Sequence, residues 1–111
     1  MSQEFEGFPP IDYRGNEGFT RVPNVFFEIQ AKLAPAEQIV LLHIIRQTYG
    51  WHKGADFIAL SQFQGATGLS KPAILRAIKA LEEAGYVEIL RGRRGSRETS
   101  RYCVRFAKGN E

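Results

Sequence analysis

The sequence holds a single cysteine, Cys103, in 111 residues. One thiol forms no disulfide within the chain and supplies no cysteine-rich metal site, so the disulfide-stapled scaffolds of small extracellular proteins are excluded. Long apolar runs are missing as well: no stretch approaches the roughly 18 to 20 apolar residues of a membrane span, and the N-terminus lacks a basic start followed by an apolar signal core. The expected location is the cytoplasm, with no membrane partner. Histidine is scarce, and His43 and His52, even taken with Cys103, have no spacing of the zinc type. Neither glycine cluster, Gly92 to Gly95 or that around Gly50 and Gly54, is followed by the lysine and hydroxyl of a phosphate loop. No Ser-His-acid triad or carboxylate pair stands out, and Glu82 and Glu83 adjoin on what reads as a solvated helix end. The chain is therefore expected to be no enzyme and to bind no cofactor or metal.

Hydrophobic residues make up 43% and charged residues 24% of the chain, a composition that folds rather than one that stays disordered. Its length suits one domain. Residues 1–18 mix Gly7, Pro9, Pro10, Gly15 and Asn16 with acids and scattered aromatics, without helical or strand periodicity, and read as a flexible N-terminal arm. Residues 19–108 then form the domain. The net charge of +3 says little by itself, but its distribution is uneven. Arg91, Arg93, Arg94, Arg97, Arg101 and Arg105 crowd a stretch whose only acid is Glu98, the footprint expected of a nucleic-acid surface.

Pro23 sets up a short helix over about 24–32, with Val25, Phe26, Phe27 and Ile29 as apolar contacts, and Pro35 suits the first turn of a second helix reaching Tyr49. In the latter, Val40, Leu41, Ile44, Ile45 and Thr48 recur at spacings of three and four, and Gly50 is expected as the left-handed residue that stops it. Asp56 to Leu60 reads as a small strand. A helix of about two turns from near Ser61 to Thr67, with Phe63 and Ala66 on one side, is followed by a tight Gly68-Leu69 turn. Ser70 then caps a longer helix to Ala84, in which Ile74, Ile78 and Leu81 form the buried face. Helix, short glycine turn, helix is the helix-turn-helix pattern. Two alternating strands follow, Tyr86 to Arg91 and Thr99 to Phe106, joined by a basic, glycine-bearing loop. The expected fold is mainly α with a small β-hairpin, a winged helix-turn-helix.

If the Ile74 face is buried, Lys71, Ala73, Arg76 and Lys79 turn outward, with Leu75 at the margin, on a helix whose width fits the major groove. Lys71 and Arg76 carry donors for guanine edges or phosphates, Ala73 offers a methyl contact to thymine, and the amides near Ser70 suit a phosphate. Taken alone, this helix also reads as an ordinary solvated face with a few cations. Arg93, Arg94 and Arg97 weigh against that reading, because like charges gathered on one loop repel and contribute nothing to folding. Candidate DNA-contacting residues are thus Ser70, Lys71, Ala73, Arg76, Lys79, Arg93, Arg94 and Arg97, with double-stranded DNA as the partner.

The runs from Gly18 to Asn24, Val40 to Lys53, Ile58 to Phe63 and Thr67 to Ser70 resemble the N-terminal domain of the lambda-type bacteriophage replication protein O family. Thr48-Tyr49-Gly50-Trp51-His52-Lys53 is the specific part, and the resemblance covers about 18–106. It implies a homodimer that binds repeated sites at a replication origin, with helicase-loading machinery recruited through a C-terminal region absent from this chain, which stops at Glu111. Ala59 departs from the serine often found there as the cap of the first short helix. Gly50 and Trp51 read independently as support for the end of the second helix, Trp51 covering it. A transcriptional regulator on the same fold, and a winged helix used for protein assembly through Phe26, Phe27, Ile29 or the N-terminal aromatics, remain the other readings.

Overall fold

Two prolines open the first helices. Pro23 precedes α1 (Asn24–Ile29), which tightens into a 3-10 turn, Gln30–Lys32. Pro35 occupies the first turn of α2 (Pro35–Thr48), where its missing N–H costs nothing. The Glu37 carboxylate accepts from the Ala34 N–H at 3.0 Å, placing negative charge at the positive end of that helix. The structure, a computed structural model, describes residues 20–51, 53–91 and 99–105. The arm, His52, the hairpin tip with Arg93, Arg94 and Arg97, and Phe106 lie outside the described residues.

After α2 come a 3-10 turn, Tyr49–Trp51, then β1 (Ala55–Ala59), α3 (Leu60–Thr67), α4 (Lys71–Glu83), β2 (Val87–Arg91) and β3 (Thr99–Val104). The small strand does not stand alone. It pairs antiparallel with β3, which also pairs antiparallel with β2, giving a three-stranded sheet in the order β1-β3-β2. The fold is mainly α and winged helix-like.

Local chemistry sets the boundaries around α3 and α4. Ala59 offers no capping oxygen, but Gln62 Oε1 accepts from the Ala59 N–H at 2.7 Å, so one side of a capping box survives the absence of serine. Gly68 ends α3 with φ +77 and its N–H on Gln64 O at 2.9 Å. Ser70 Oγ accepts from the Ala73 N–H at 3.3 Å and starts α4. At the far end Gly85, φ +86, donates to Glu82 O at 3.0 Å and Tyr86 to Leu81 O at 3.1 Å, the paired bonds of a Schellman motif. Replacing Gly68 by alanine is expected to cost about 1 to 2 kcal/mol, because space is open around it and only the left-handed backbone resists. Gly65→Ala, inside α3 and also in open space, is the control, expected to be neutral or stabilising; urea midpoints of the two variants check both.

The core lies where α2, α4 and the inner face of the sheet meet. Phe26, Val40, Leu41, Ile44, Ile45, Ile58, Phe63, Ile74 and Leu81 are essentially inaccessible, with Val87, Tyr102 and Val104 from the hairpin closing the layer. Thr48 is the buried polar residue among the described residues, and its hydroxyl donates to Ile44 O at 2.8 Å, which removes the desolvation penalty. The Phe63 ring meets His43 and Tyr102 edge-on, each at 5.3 Å between centroids. His43 is half-buried; its Nε2 has no hydrogen-bond partner among the described residues. Burial, and secondarily the charge of Arg46, lowers the His43 pKa below its ordinary value. A lowered folded-state pKa means that the unfolded chain takes the proton first. Stability is thus expected to be level above pH about 6.5 and to fall as pH drops through the window below it, with the fall reduced in His43→Gln; chemical denaturation at several pH values measures it.

Four sequence expectations change. Gly50 has no positive φ and sits within the 3-10 turn, because α2 tightens rather than reverses, closing with the Lys53 N–H on Thr48 O at 2.8 Å. The site is tight, since a Cβ would stand 3.0 Å from Thr20 Oγ1 and 3.2 Å from an Arg46 guanidinium nitrogen, and both side chains would have to give by a few tenths of an ångström. Trp51 is not a buried cover; half-exposed, it stacks under the Arg46 guanidinium at 5.1 Å. Phe27 and Ala66 face solvent, while Phe26 in α1 and Phe63 in α3 hold the inward positions.

Candidate nucleic-acid interface

Helix α4 is the most amphipathic of the long helices. Ile74, Ala77, Ile78 and Leu81 are buried, which leaves Pro72, Arg76, Lys79 and Glu83 at spacings of three and four along the opposite side. Lys71 and Leu75 are exposed beside this line. Among the described residues, no side-chain hydrogen bond or ion pair engages Lys71, Arg76 or Lys79. Ala73 is half-buried on the flank toward α2, where Ala34, Pro35, Glu37, Arg76 and Lys79 help line a groove of about 500 Å³.

The start of α4 has few spare donors. Pro72 has no N–H, the Ala73 amide is held by Ser70 Oγ, and the Ile74 amide donates to Ser70 O at 3.0 Å. Lys71 therefore carries the one backbone N–H left in the first turn for an anion, among the described residues.

The six arginines of the basic stretch divide by partner. Arg91 makes two hydrogen bonds to the Glu82 carboxylate, each 3.1 Å, and this bonding raises its pKa further. Arg105 pairs with Glu88, its Nε donating at 2.7 Å. Those two charges are spent within the chain. Sequence reasoning missed both pairs, because Arg91 meets the end of α4, and Arg105 meets β2, only through the fold. The Arg91 pair has a geometric consequence: it fastens the last residue of β2, just before residues 92–98, to the last turn of α4. The outward line of α4 is thus bordered by the start of α2 on one flank and by the root of the hairpin on the other. Arg101 is exposed and lies elsewhere, on the outer face of the sheet.

Helix α3, the Gly68 turn, α4 and the sheet behind them define a winged helix-like helix-turn-helix domain. The chain belongs to the bacteriophage replication protein O family, whose profile matches residues 14–101. Membership places it in phage replication. A comparison with curated proteins finds no match. Among the described residues no helix is long and apolar enough to cross a membrane.

Proposed function

We propose that this domain binds double-stranded DNA sequence-specifically at a phage or prophage replication origin, in the cytoplasm, as a homodimer, without catalysing a reaction itself. One observation carries the reading: an exposed cationic line on α4, unpaired among the described residues, is flanked by Arg91, which is clasped to Glu82 and directly precedes residues 92–98 in the sequence. Family membership supports the replication setting. Recruitment of helicase-loading machinery belongs to the same proposal, through a region other than this domain.

In this reading α4 lies in the major groove. Arg76 and Lys71 donate to guanine O6 and N7 or to phosphates, Lys79 neutralises a phosphate, and Arg93, Arg94 and Arg97 reach phosphates or the minor groove. Leu75 is the more exposed methyl source for thymine, since Ala73 lies on the α2 flank. Arg76→Ala is expected to relax preference at one base position by about 1 to 3 kcal/mol, whereas Lys79→Ala should weaken all sequences alike and lower the salt slope by about 0.9. Selection from random duplexes with each variant separates the two effects. Unchanged preference with reduced affinity for Arg76→Ala would mean that α4 presents another side to the bases. Iterated sites beside the replication gene favour origin binding; a site over the chain's own promoter favours transcriptional control.

A further inference from the structure

The outer face of the sheet is built to hold something. Strand register places Phe57, Arg101 and Leu90 in one row across β1, β3 and β2, with Ala55, Cys103 and Glu88 in the next row on that face. Phe57 is 59% and Leu90 64% exposed, and the two flank a guanidinium with no partner among the described residues. A groove of about 670 Å³ lies here, with Lys53, Ala55, Leu90, Arg101 and Cys103 in its lining. Lys53 is already engaged by Asp56 at 3.3 Å and Glu88 by Arg105, so Arg101 sets the charge the face can receive. Apolar walls around a free cation fit an aromatic segment that carries carboxylates.

The chain contains such a segment. Phe5, Phe8, Ile11 and Tyr13 are interleaved with Glu4, Glu6, Asp12 and Glu17 against the single Arg14. Its point of attachment favours this face. Thr20 packs over Gly50 at the end of α2, and Lys53, on the rim of the groove, is hydrogen-bonded back to Thr48 O. Arg76 and Lys79 of α4 lie instead beside the start of α2, a helix length of about 20 Å away. Eighteen residues of extended chain reach up to about 60 Å, so the span is no obstacle.

We propose that residues 1–18 dock in cis on the outer face of the sheet, with an arm aromatic against Phe57 and Leu90 and an arm carboxylate on Arg101. Docked there, the acidic arm is kept off the cationic side of α4. The proposal stands whether or not α4 binds DNA.

Cys103 lines the groove and is the only thiol, so its alkylation rate reports whether the face is covered. The 111-residue chain is compared with its Phe5→Ser/Phe8→Ser and Glu4→Gln/Glu6→Gln variants, using iodoacetamide at neutral pH. Covering by the arm predicts alkylation about threefold faster or more in both variants, at every protein concentration. Backbone amide shifts of Phe57, Leu90 and Arg101 should also differ between the parent chain and the Phe5→Ser/Phe8→Ser variant. Equal rates with unmoved amide signals overturn the proposal. So does protection that grows with protein concentration and ignores the arm substitutions, because a second copy of the chain then occupies the face.

Discussion

Replacing Arg93, Arg94 and Arg97 together by alanine is expected to weaken binding to every duplex roughly a hundredfold near 0.1 M salt, and to lower the slope of log affinity against log salt by about 2 to 3. The size follows from counterion release, in which each neutralised phosphate contributes about 0.9 to that slope. Arg91 and Arg105 should behave differently. Their charges are satisfied by Glu82 and Glu88, so Arg105→Gln is expected to leave the salt slope nearly unchanged. Fluorescence anisotropy over a salt series measures all of these. A triple variant with the parental slope would remove the loop from the interface.

Phe63→Ala should have the largest effect on stability, about 3 to 5 kcal/mol. The ring is fully inaccessible and is met edge-on by His43 from α2 and Tyr102 from β3, so its loss opens a cavity at the junction of two helices and the sheet. For a domain whose whole stability is on the order of 5 to 15 kcal/mol, that loss leaves a large unfolded fraction. Phe63→Leu, which keeps most of the volume, should cost less than half as much. Denaturant midpoints give the comparison, and a Phe63→Ala variant within about 1 kcal/mol of the parent would contradict the packing described.

The parts of the fold legible in the sequence are those governed by chemistry within a few residues. Ser70 as a cap, the tight turn at Gly68, and the Ile74, Ile78 and Leu81 stripe each depend on neighbours no more than one or two turns away. The misread residues depend on distant ones. Gly50 reads as a stop, but its constraint is Thr20, from a segment preceding α1. The small strand is visible in the sequence, yet its place beside β3 arises from pairing across about forty residues of chain, Ala59 with Thr99. The candidate site divides in the same way. The outward position of Lys71, Arg76 and Lys79 follows from helical period, and the donors lost at the start of α4 follow from Pro72 and the Ser70 cap, whereas the shift of Ala73 to the α2 flank and the Arg91–Glu82 clasp are products of tertiary structure. Alternation in β3 already puts Arg101 and Cys103 opposite Tyr102 and Val104; what it lacks is the neighbouring strands, which supply Phe57 and Leu90.

Amide chemical-shift mapping of the labelled chain during titration with a short duplex, at about 50 mM salt where phosphate contacts are strongest, goes straight to the central claim. Perturbations concentrated at 70–79 and 92–98, with the outer sheet residues around Phe57 and Leu90 unmoved, are the predicted result. Signals that shift on the outer sheet face while those of α4 stay in place would contradict it.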